Sequence, residues 1–404
     1  REKLLTQRTI QTMAHLGARA FGEISGEVVQ TTAFVLQGQH FLGFKPVFFR
    51  LVEGQEAEKE AALRGNQNRF DATVQDDFKK IPGAAIGYWL SREAISNFQT
   101  CKSLGDISEA KSGMSSCNSA LFLRAWYEVS TDELRFDAAS HEEAKKSGKR
   151  WFPYNKGGGS RRWYGYNETV INWLDDGADI KSFVVNNPND PDTTHFSRRL
   201  FNLEFFFKKG VTWSAISSGG FAVRSISQSG IIPGTGSKTL YDLGEQSGVE
   251  FISAIMNSIV SRYYLSVLSP TLNFEAGDVG KLPVAAINKN EKEIIINIAK
   301  RAIEISEEDW IEFETSYKFS GIRLTRQSFN SLFNAWKDWA DLCQLRRNEL
   351  ITIEADIDRR LISAYSLESK LSAEVMQAQV QIAEGSRELD CQRLISYAIG
   401  CMMG

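Results

Sequence analysis

The stretch of residues 145–164 combines positive charge, aromatic rings and consecutive glycines. Its basic residues are Lys145, Lys146, Lys149, Arg150, Lys156, Arg161 and Arg162, and its rings belong to Trp151, Phe152, Tyr154, Trp163 and Tyr164. Cationic side chains hold a phosphate backbone and flat rings stack beside bases, while Gly157–Gly159 supplies a hinge. This composition indicates a nucleic-acid-binding loop, although a solvated lysine run before an ordinary glycine turn explains it equally well.

More basic residues follow in the same part of the chain, namely Arg198, Arg199, Lys208, Lys209 and Arg224. Arginine can read a guanine edge with two hydrogen bonds, whereas lysine, serine, threonine and backbone amides mostly hold phosphates. If the loops that carry these residues converge on one face, the module reads duplex DNA.

The segment Pro233 to Thr239 resembles the end of a phosphate-binding P-loop. In such loops a lysine directly follows the last glycine and reaches the terminal phosphates. Here Ser237 separates Gly236 from Lys238, which displaces the lysine. A nucleotide hydrolase is therefore the weakest of the functional hypotheses.

Other catalytic and metal-binding patterns are missing from the sequence. The four histidines, His15, His40, His141 and His195, have no Cys or acidic partner at ligand spacing, and we expect packing or surface roles for them. The carboxylate pairs Asp76-Asp77 and Asp175-Asp176 occur in polar, turn-like contexts that favour solvated loops. We therefore predict no metal site, while a hydrolase stays an open alternative that these residues do not support.

Composition indicates an ordinary globular protein of two or three domains. The chain has 404 residues, 42% of them hydrophobic, and a formal net charge of -3, so any DNA-binding surface must be a local patch. Five cysteines without a CxxC pair favour a reducing cytoplasm over a disulfide framework. We find no apolar run of membrane-spanning length and expect no membrane association.

The N-terminal part should complete an α/β domain whose remainder lies upstream. Helical spacing of apolar residues predicts a helix over residues 1–20. β-branched and aromatic residues predict strands over 25–36 and 43–52, which we expect to pair as a hairpin. A charged helix is expected over 53–64. We assign residues 1–80 to this domain.

Residues 81–290 have the composition of a mixed α/β domain with short strands. The predicted strands cover 84–90, 120–129, 182–185, 203–207, 220–223 and 229–232, and one helix is predicted over 243–264. Tryptophans are frequent here, and such clusters are more often core than ligand platforms.

Residues 291–404 are predicted to be helical. One helix is expected over 291–305, and apolar residues from Leu332 to Ala364 recur every three or four positions over many turns. This pattern predicts a long amphipathic helix, a spacer between domains more than a binding groove.

Several of these stretches together resemble the adenine-specific DNA methyltransferases of BREX phage-defence systems, the PglX family, which are related to single-chain restriction-modification enzymes. The resemblance rests on residues 15–36, 77–91, 111–129, 150–177, 210–224, 269–284 and 394–404, with 150–177 the most specific.

The resemblance implies transfer of a methyl group from S-adenosylmethionine to N6 of a flipped adenine in a short recognition sequence. The family's Gly-rich cofactor loop and Asn-Pro-Pro-Tyr motif are absent, because neither Phe21 to Gly26 nor Asn187 to Asp190 matches them. The chain would then hold the end of a Rossmann-like methyltransferase sheet, a target-recognition domain and a helical spacer. It would bind no cofactor itself, and double-stranded DNA and other BREX-system proteins would be its partners.

Two departures from the family pattern prevent transfer of any base preference. Ser115 to Asn118 replaces a Thr-Gly-Asp-Asn-like turn, and Gly159-Ser160 alters the usual run after the glycines. The predicted DNA-binding residues are Lys111, Ser112, Asn155, Lys156, Arg161, Arg162, Trp163, Tyr164, Arg198, Arg199, Lys208 and Arg224, with Lys156, Arg161, Arg162 and Trp163 facing DNA and Trp151 inside. The alternative is a non-catalytic scaffold whose 332–364 helix binds partner proteins.

Overall fold

A computed structural model describes residues 1–21, 30–226, 230–241, 248–326 and 330–403. The chain divides into two compact units. The first comprises Arg1–Lys102 with Tyr365–Lys370, and the second comprises Ser103–Ala364 with Leu371–Gly404. The mixed α/β class predicted from the sequence is confirmed, whereas the three-domain division stays a prediction.

The first unit is built on a four-stranded sheet in the order β2-β1-β3-β4. Its elements are α1 (Glu2–Gln7), β1 (Thr9–Gly17), β2 (Thr31–Gln37), β3 (Val47–Arg50), α2 (Glu56–Arg64), β4 (Arg69–Phe70), a 3-10 helix (Gln75–Lys80) and α3 (Arg92–Thr100). Strand β1 pairs antiparallel with β2 and parallel with β3. Phe48 of β3 stacks on Tyr88 at 4.4 Å and anchors the core.

Two predictions for this unit are wrong. The helix predicted over residues 1–20 ends at Gln7, because Thr9–Gly17 forms a strand with a partner on each side, and this pairing overrides the helical spacing. The two following strands do not form a hairpin, since β1 lies between them. The charged helix is confirmed as α2, and residues 22–29 of the first predicted strand lie outside the described residues.

The second unit contains two four-stranded sheets of short strands. The strands that follow the first unit are β5 (Lys102–Ser103), β6 (Glu109–Ser112), β7 (Leu123–Ala125), β8 (Trp151–Asn155), β9 (Thr169–Asn172), β10 (Gly210–Ser214), β11 (Val223–Ile226), β12 (Ile232–Pro233), β13 (Ser237–Tyr241) and β14 (Pro283–Val284). One sheet has the order β11-β10-β13-β6 and the other β12-β8-β9-β7. Trp213 of β10 and Phe152 of β8 are fully buried, one from each sheet.

Several strands predicted between residues 81 and 290 are absent from the described chain, and the first of them falls in the first unit. Residues 84–90 form turns, with φ of 72° at Gly83 and 49° at Ala84. Residues 182–185 end a helix that buries Ile180 and Val184, four positions apart. Of residues 203–207, Leu203–Phe205 forms a 3-10 turn. Of the strand predicted over 120–129, only Leu123–Ala125 forms a strand. The strands predicted over 220–223 and 229–232 are displaced toward the C-terminus and correspond to β11 and β12. Residues 227–229 lie outside the described chain.

Helices form the remaining layer of the second unit. They are α4 (Leu104–Ile107), α5 (Ser119–Phe122), α6 (His141–Lys146), α7 (Leu174–Val185), α8 (Val249–Asn257), α9 (Ile259–Leu268), α10 (Ala276–Val279), α11 (Lys289–Trp310), α12 (Arg323–Arg326), α13 (Leu332–Ala364) and α14 (Arg387–Met403). The remaining 3-10 turns are Trp126–Glu128, Thr131–Glu133, Phe196–Arg198, Leu203–Phe205 and Gln377–Gln379.

The long predicted helix is confirmed as α13, whose 33 residues match the predicted bounds. The apolar spacing fixes it because Trp339, Leu350 and Leu361 are all buried along one side. The helix predicted over 243–264 is instead broken at Ser258, whose hydroxyl caps α9 by accepting the amide of Ser261, and 242–247 are not described.

No single described helix has the length and apolar composition needed to cross a membrane. The α8–α9 pair passes that test only when the two helices are joined across their 66° bend.

Candidate nucleic-acid interface

The end of strand β6 and the segment that precedes β10 bring several predicted DNA-binding residues together. The ammonium groups of Lys111 and Lys208 lie 4.9 and 5.1 Å from the centre of the Phe205 ring. Asn202 Nδ2 donates to the Ser112 carbonyl at 2.9 Å, and Ser115 N donates to the Arg199 carbonyl at 3.1 Å. These contacts place the two segments side by side.

We call Lys111, Arg198, Arg199 and Lys208 the basic patch. Arg198, Arg199 and Lys208 are exposed and Lys111 is half-buried. Two members have acidic partners, since Lys111 lies 2.7 Å from Glu109 and Arg199 lies 2.6 Å from Asp190. Such exposed pairs are weak in water and can exchange for a stronger anion.

A second exposed feature is the glycine loop, Gly157–Gly159, with Lys156 at its start. All three glycines have positive φ, 81°, 135° and 40°. The amide of Gly157 donates to Asn155 Oδ1 at 3.2 Å, and the amide of Gly158 donates to Ser214 Oγ at 3.0 Å. The loop therefore has one fixed path, which carries the exposed Lys156 side chain.

The turn over residues 233–236 connects the segment after β6 with the glycine loop. Met114 N donates to the Pro233 carbonyl at 2.9 Å, and Gly234 N donates to the Asn155 carbonyl at 2.9 Å. A Cβ atom on Gly157 would lie 2.3 Å from the Gly236 carbonyl oxygen, so the backbones touch. Met114 and this turn thus connect the end of β6 to the start of the glycine loop.

This turn does not form a nucleotide-binding P-loop. A P-loop is followed by a helix, whereas Ser237–Tyr241 continues as strand β13. Lys238 is buried and lies 3.4 Å from Glu275. The hydrolase hypothesis therefore loses its only structural basis.

Arg161 lies inside the protein, contrary to the prediction that it faces DNA. Its Nη2 lies 2.8 Å from Asp309 of α11, its Nη1 donates to the Gln381 carbonyl at 2.9 Å, and its guanidinium lies 5.1 Å from the Trp310 ring centre. The cation is thus used to hold the loop onto α11.

Arg162 and Trp163, also predicted to face DNA, are 8% and 1% exposed. Both bind the same carboxylate on α13, since Arg162 Nη2 lies 3.0 Å from Glu354 Oε2 and Trp163 Nε1 donates to Glu354 Oε1 at 2.8 Å. The physical reason is charge matching, because a buried glutamate requires a paired cation and a donor. Trp151 is buried as predicted.

The remaining predicted residues are interior or half-buried. Asn155 is buried and its Nδ2 donates to Thr212 Oγ1 at 2.6 Å. Tyr164 is half-buried and accepts the amide of Asn167 at 3.2 Å, and burial raises the pKa of its phenol. Arg224 is 2% exposed.

Charged groups on α13 that the sequence reasoning missed are also buried. Burial raises the pKa of Glu354 despite the neighbouring Arg162 cation. Burial likewise raises the pKa of Asp358 to about 6, although the amide of Ile259 donates to it at 2.8 Å. The sequence does indicate this burial, because Glu354 and Asp358 follow Leu350 at four-residue spacing and therefore lie on the apolar side of the helix.

A histidine–carboxylate pair was missed as well. His141 Nδ1 lies 2.5 Å from Asp176 Oδ1, and Lys181 lies 2.6 Å from the other oxygen. The hydrogen bond to Asp176 raises the pKa of His141. The His141 ring stacks on Phe206 at 5.7 Å, which gives the pair a packing role. Within the described ranges, no three His, Cys, Asp or Glu residues are grouped to hold a metal ion.

Comparison with known proteins identifies two long relatives, while no family model matches. The chain is 36% identical over 420 residues to the adenine-specific methyltransferase BrxX of Escherichia coli O9:H4 (strain HS), covering 99% of this chain and 32% of BrxX. It is 36% identical over 407 residues to the adenine-specific methyltransferase PglX of Lacticaseibacillus casei (strain Zhang), covering 98% and 33%. The chain thus spans about a third of either relative.

Among solved structures, the type IIL restriction-modification enzyme MmeI in complex with DNA overlaps 96% of this chain and 46% of its own, with a TM-score of 0.49 and 10% identity. The type IIG restriction endonuclease BpuSI overlaps 90% and 45%, with a TM-score of 0.30 and 9% identity. The sequence comparison alone is decisive: the chain is a relative of the adenine-specific methyltransferases BrxX and PglX, matched over nearly its whole length to about a third of theirs.

Proposed function

We propose that this chain is the DNA sequence-recognition portion of a site-specific N6-adenine methyltransferase of a BREX phage-defence system. The observation that carries the proposal is the match of 99% of the chain to a third of an adenine-specific methyltransferase. Double-stranded DNA is the proposed partner, and other BREX-system proteins are proposed partners of the parent enzyme.

The arrangement of exposed cations supports this function. The ammonium groups of Lys111 and Lys208 lie near the same Phe205 ring, and the turn over residues 233–236 hydrogen-bonds both to Met114, just after β6, and to Asn155, next to Lys156. Ammonium groups held along one path can follow a phosphate backbone, because each contact releases a condensed counterion. We therefore assign phosphate contacts to the basic patch, to Lys156 and to Ser112, which is next to Lys111 on β6.

The buried arginines have a different proposed role. Arg161 and Arg162 are bound to Asp309 and Glu354 on the two longest helices. These ion pairs hold the segment that follows the glycine loop against α11 and α13. They therefore fix the position of the exposed Lys156 at the start of the loop. We assign the same positioning role to Asn155, Trp163 and Tyr164. Their side chains form hydrogen bonds with other side chains of the protein and are therefore not free to bind DNA.

The methyl donor of the parent enzyme is proposed to be S-adenosylmethionine, held by residues outside this chain. The closest sequence to the catalytic tetrapeptide, Asn187 to Asp190, is a turn in which Asp190 binds Thr193 at 2.9 Å and Arg199 at 2.6 Å. These contacts close the turn on itself, so it does not present groups to a flipped base. No residue of this chain is assigned to catalysis or to the cofactor.

The alternative function, a scaffold that binds partner proteins through residues 332–364, receives no support from the packing. The apolar side of α13 that this function requires is buried within the chain itself, at Trp339, Cys343 and Ile357.

Fluorescence anisotropy of the 404-residue chain with a mixed-sequence duplex tests the proposal. The logarithm of the binding constant should fall linearly with the logarithm of salt concentration. Lys111→Ala combined with Lys208→Ala should weaken binding to all sequences and reduce the slope by about 2, since each lost phosphate contact removes about 1. Lys300→Ala, an exposed lysine on α11, is the matched control.

Absence of duplex binding at low salt would refute the proposal. Binding that is insensitive to salt would refute it as well. An equal loss of affinity in the Lys300→Ala control would show that overall charge, and not the basic patch, causes the effect.

A further inference from the structure

A cavity of about 50 Å³ lies beside the glycine loop, between the two sheets of the second unit. Its walls are mainly aromatic and apolar, and Phe136 and Tyr317 stack within them at 4.0 Å with a 7° angle between the rings. Polar groups of Asn155, Asn167 and Arg224 also line the cavity. Asn155, Tyr164 and Arg224, which line it, are among the predicted DNA-binding residues, but the function proposed above assigns no ligand to the cavity.

The unusual group in the cavity is the Arg224 guanidinium. Its side chain is nearly fully buried, and Nη1 has no hydrogen-bond partner among the described residues. Nη2 makes one long contact, 3.4 Å to Ser214 Oγ, and the guanidinium lies 5.0 Å from the Tyr166 ring centre. A buried arginine normally has every donor satisfied, so the free nitrogen points to a missing partner.

The charge of Arg224 is also incompletely balanced. Glu168 attracts the cation, but within the described part of the chain no carboxylate forms an ion pair with it. Burial lowers the pKa of Arg224 to about 10, so the group stays protonated at neutral pH. Leaving a buried cation unpaired is costly, and an anion bound in the cavity would remove that cost.

The size and chemistry of the cavity select the anion. A volume of about 50 Å³ holds roughly four water-sized groups, since one water needs about 10–15 Å³. That is the size of a tetrahedral oxyanion and too small for a nucleobase. Guanidinium groups bind phosphate oxygens with two parallel N–H donors, and the amides of Asn155 and Asn167 can donate to the remaining oxygens.

We propose that this cavity is a phosphate-binding site in which Arg224 is the principal ligand. The phosphate comes either from solution, as the inorganic ion, or from a DNA backbone at the glycine loop. Only the DNA source rests on the function proposed above, and the site itself does not.

The cavity and the glycine loop are mechanically connected. A Cβ atom on Gly159 would lie 2.0 Å from Tyr166 Oη, so the loop rests directly on the ring that Arg224 faces. Asn155, which lines the cavity, accepts the amide of Gly157. Phosphate in the cavity therefore stabilises the loop that carries Lys156.

The first experiment uses inorganic phosphate and the 404-residue chain. Isothermal titration calorimetry and thermal unfolding are compared in phosphate and in sodium chloride of equal ionic strength. Phosphate should bind saturably and raise the Tm of the wild type, because it binds only the folded state. Arg224→Met should abolish both effects, Arg224→Lys should weaken binding at least tenfold, and Lys300→Ala, at an exposed position of α11, should preserve both.

The wild-type titration alone keeps the proposal falsifiable if Arg224→Met does not fold. Equal stabilisation of wild type and Arg224→Met by phosphate would overturn the proposal. The proposal would also be overturned if the wild type showed no saturable phosphate binding and Arg224→Lys bound the duplex as tightly as the wild type does.

Duplex binding distinguishes the two phosphate sources. If the source is DNA, inorganic phosphate competes with the duplex more strongly than chloride does, and Arg224→Lys lowers duplex affinity. If the source is the free ion, duplex affinity is unchanged in Arg224→Lys while calorimetric phosphate binding is weakened. Wild type that binds phosphate but no duplex would support the site and refute the proposed DNA-recognition function.

Discussion

Trp163 donates its indole N–H to Glu354 at 2.8 Å, and these two side chains are 1% and 4% exposed. The contact joins the end of the glycine-loop segment to the middle of α13, across 191 residues of sequence. Arg162, next to the tryptophan, binds the other oxygen of the same carboxylate. One glutamate thus satisfies two consecutive residues of the loop segment, and the loop is positioned by the long helix.

Glu354→Ala should strongly destabilise the second unit. The substitution leaves Arg162 as a buried cation without its carboxylate and leaves the Trp163 N–H without an acceptor. Breaking a buried pair by removing one partner costs about 3–5 kcal/mol. Urea unfolding followed by tryptophan fluorescence measures the change in the free energy of unfolding.

Glu304→Ala provides the control for the Glu354 prediction. Glu304 lies on α11 with its side chain 61% exposed, and its contact with Arg301 is 3.4 Å. Exposed pairs contribute about 0–1 kcal/mol, so its loss should be small. Similar unfolding free energies for the two variants would contradict the assigned role of Glu354.

Gly157→Ala should destabilise the protein by more than the cost of placing alanine at a positive φ. Gly157 has φ of 81°, and an added Cβ would lie 2.3 Å from a backbone carbonyl oxygen of Gly236. Gly148→Ala is the matched control, since Gly148 has φ of 63° and open space around it. A positive φ alone costs about 1–2 kcal/mol.

The glycine prediction is checked by thermal unfolding and by duplex binding. Gly157→Ala should unfold more easily than Gly148→Ala, because the loop must also move away from the turn. On the proposed function it should also weaken duplex binding, since Lys156 is displaced, whereas Gly148→Ala should not. Equal stability of the two variants would contradict the prediction, because it would show that moving the loop away from Gly236 requires no free energy.

Local periodicity predicted the parts of the fold that are stabilised by a single continuous face. The apolar spacing from Leu332 to Ala364 predicted both ends of α13, because that face is buried from Ala335 to Ile362 and only its first turn is exposed. The same reasoning was wrong for Thr9–Gly17, where Ile10 and Met13 also fit a helix. Strand pairing on both sides decided that segment, and such partners are distant in sequence.

The candidate site was predictable in composition but not in orientation. The stretch 145–164 contains the glycine loop and the exposed Lys156, as its residue types suggest. Nothing local indicates that Arg161 and Arg162 point inward, because their partners Asp309 and Glu354 lie some 150–190 residues later. Charge and ring content therefore identify the loop, while long-range ion pairs decide which side chains are exposed.

Asp358 should make the stability of the second unit depend on pH in an unusual direction. Burial raises its pKa in the folded chain from 3.8 to about 6, so the folded state holds a proton that the unfolded state releases. Stability from this group is thus fully present below pH 3.8 and is lost as pH rises to about 6, by roughly 3 kcal/mol at most. The charged groups that face it are Arg162, Arg262 and Glu354, of which Glu354 adds to the upward shift.

Asp358→Asn removes this titration while its side-chain oxygen can still accept the amide of Ile259. Relative to the wild type, the variant should therefore gain stability as pH rises from 4 to 6 and keep that gain above pH 6. The measurement is the difference in unfolding free energy between variant and wild type at each pH, with Asp341→Asn, an exposed position on α13, as the control. A difference that stays constant between pH 4 and pH 7 would mean that Asp358 titrates normally and that its buried surroundings exert no such effect.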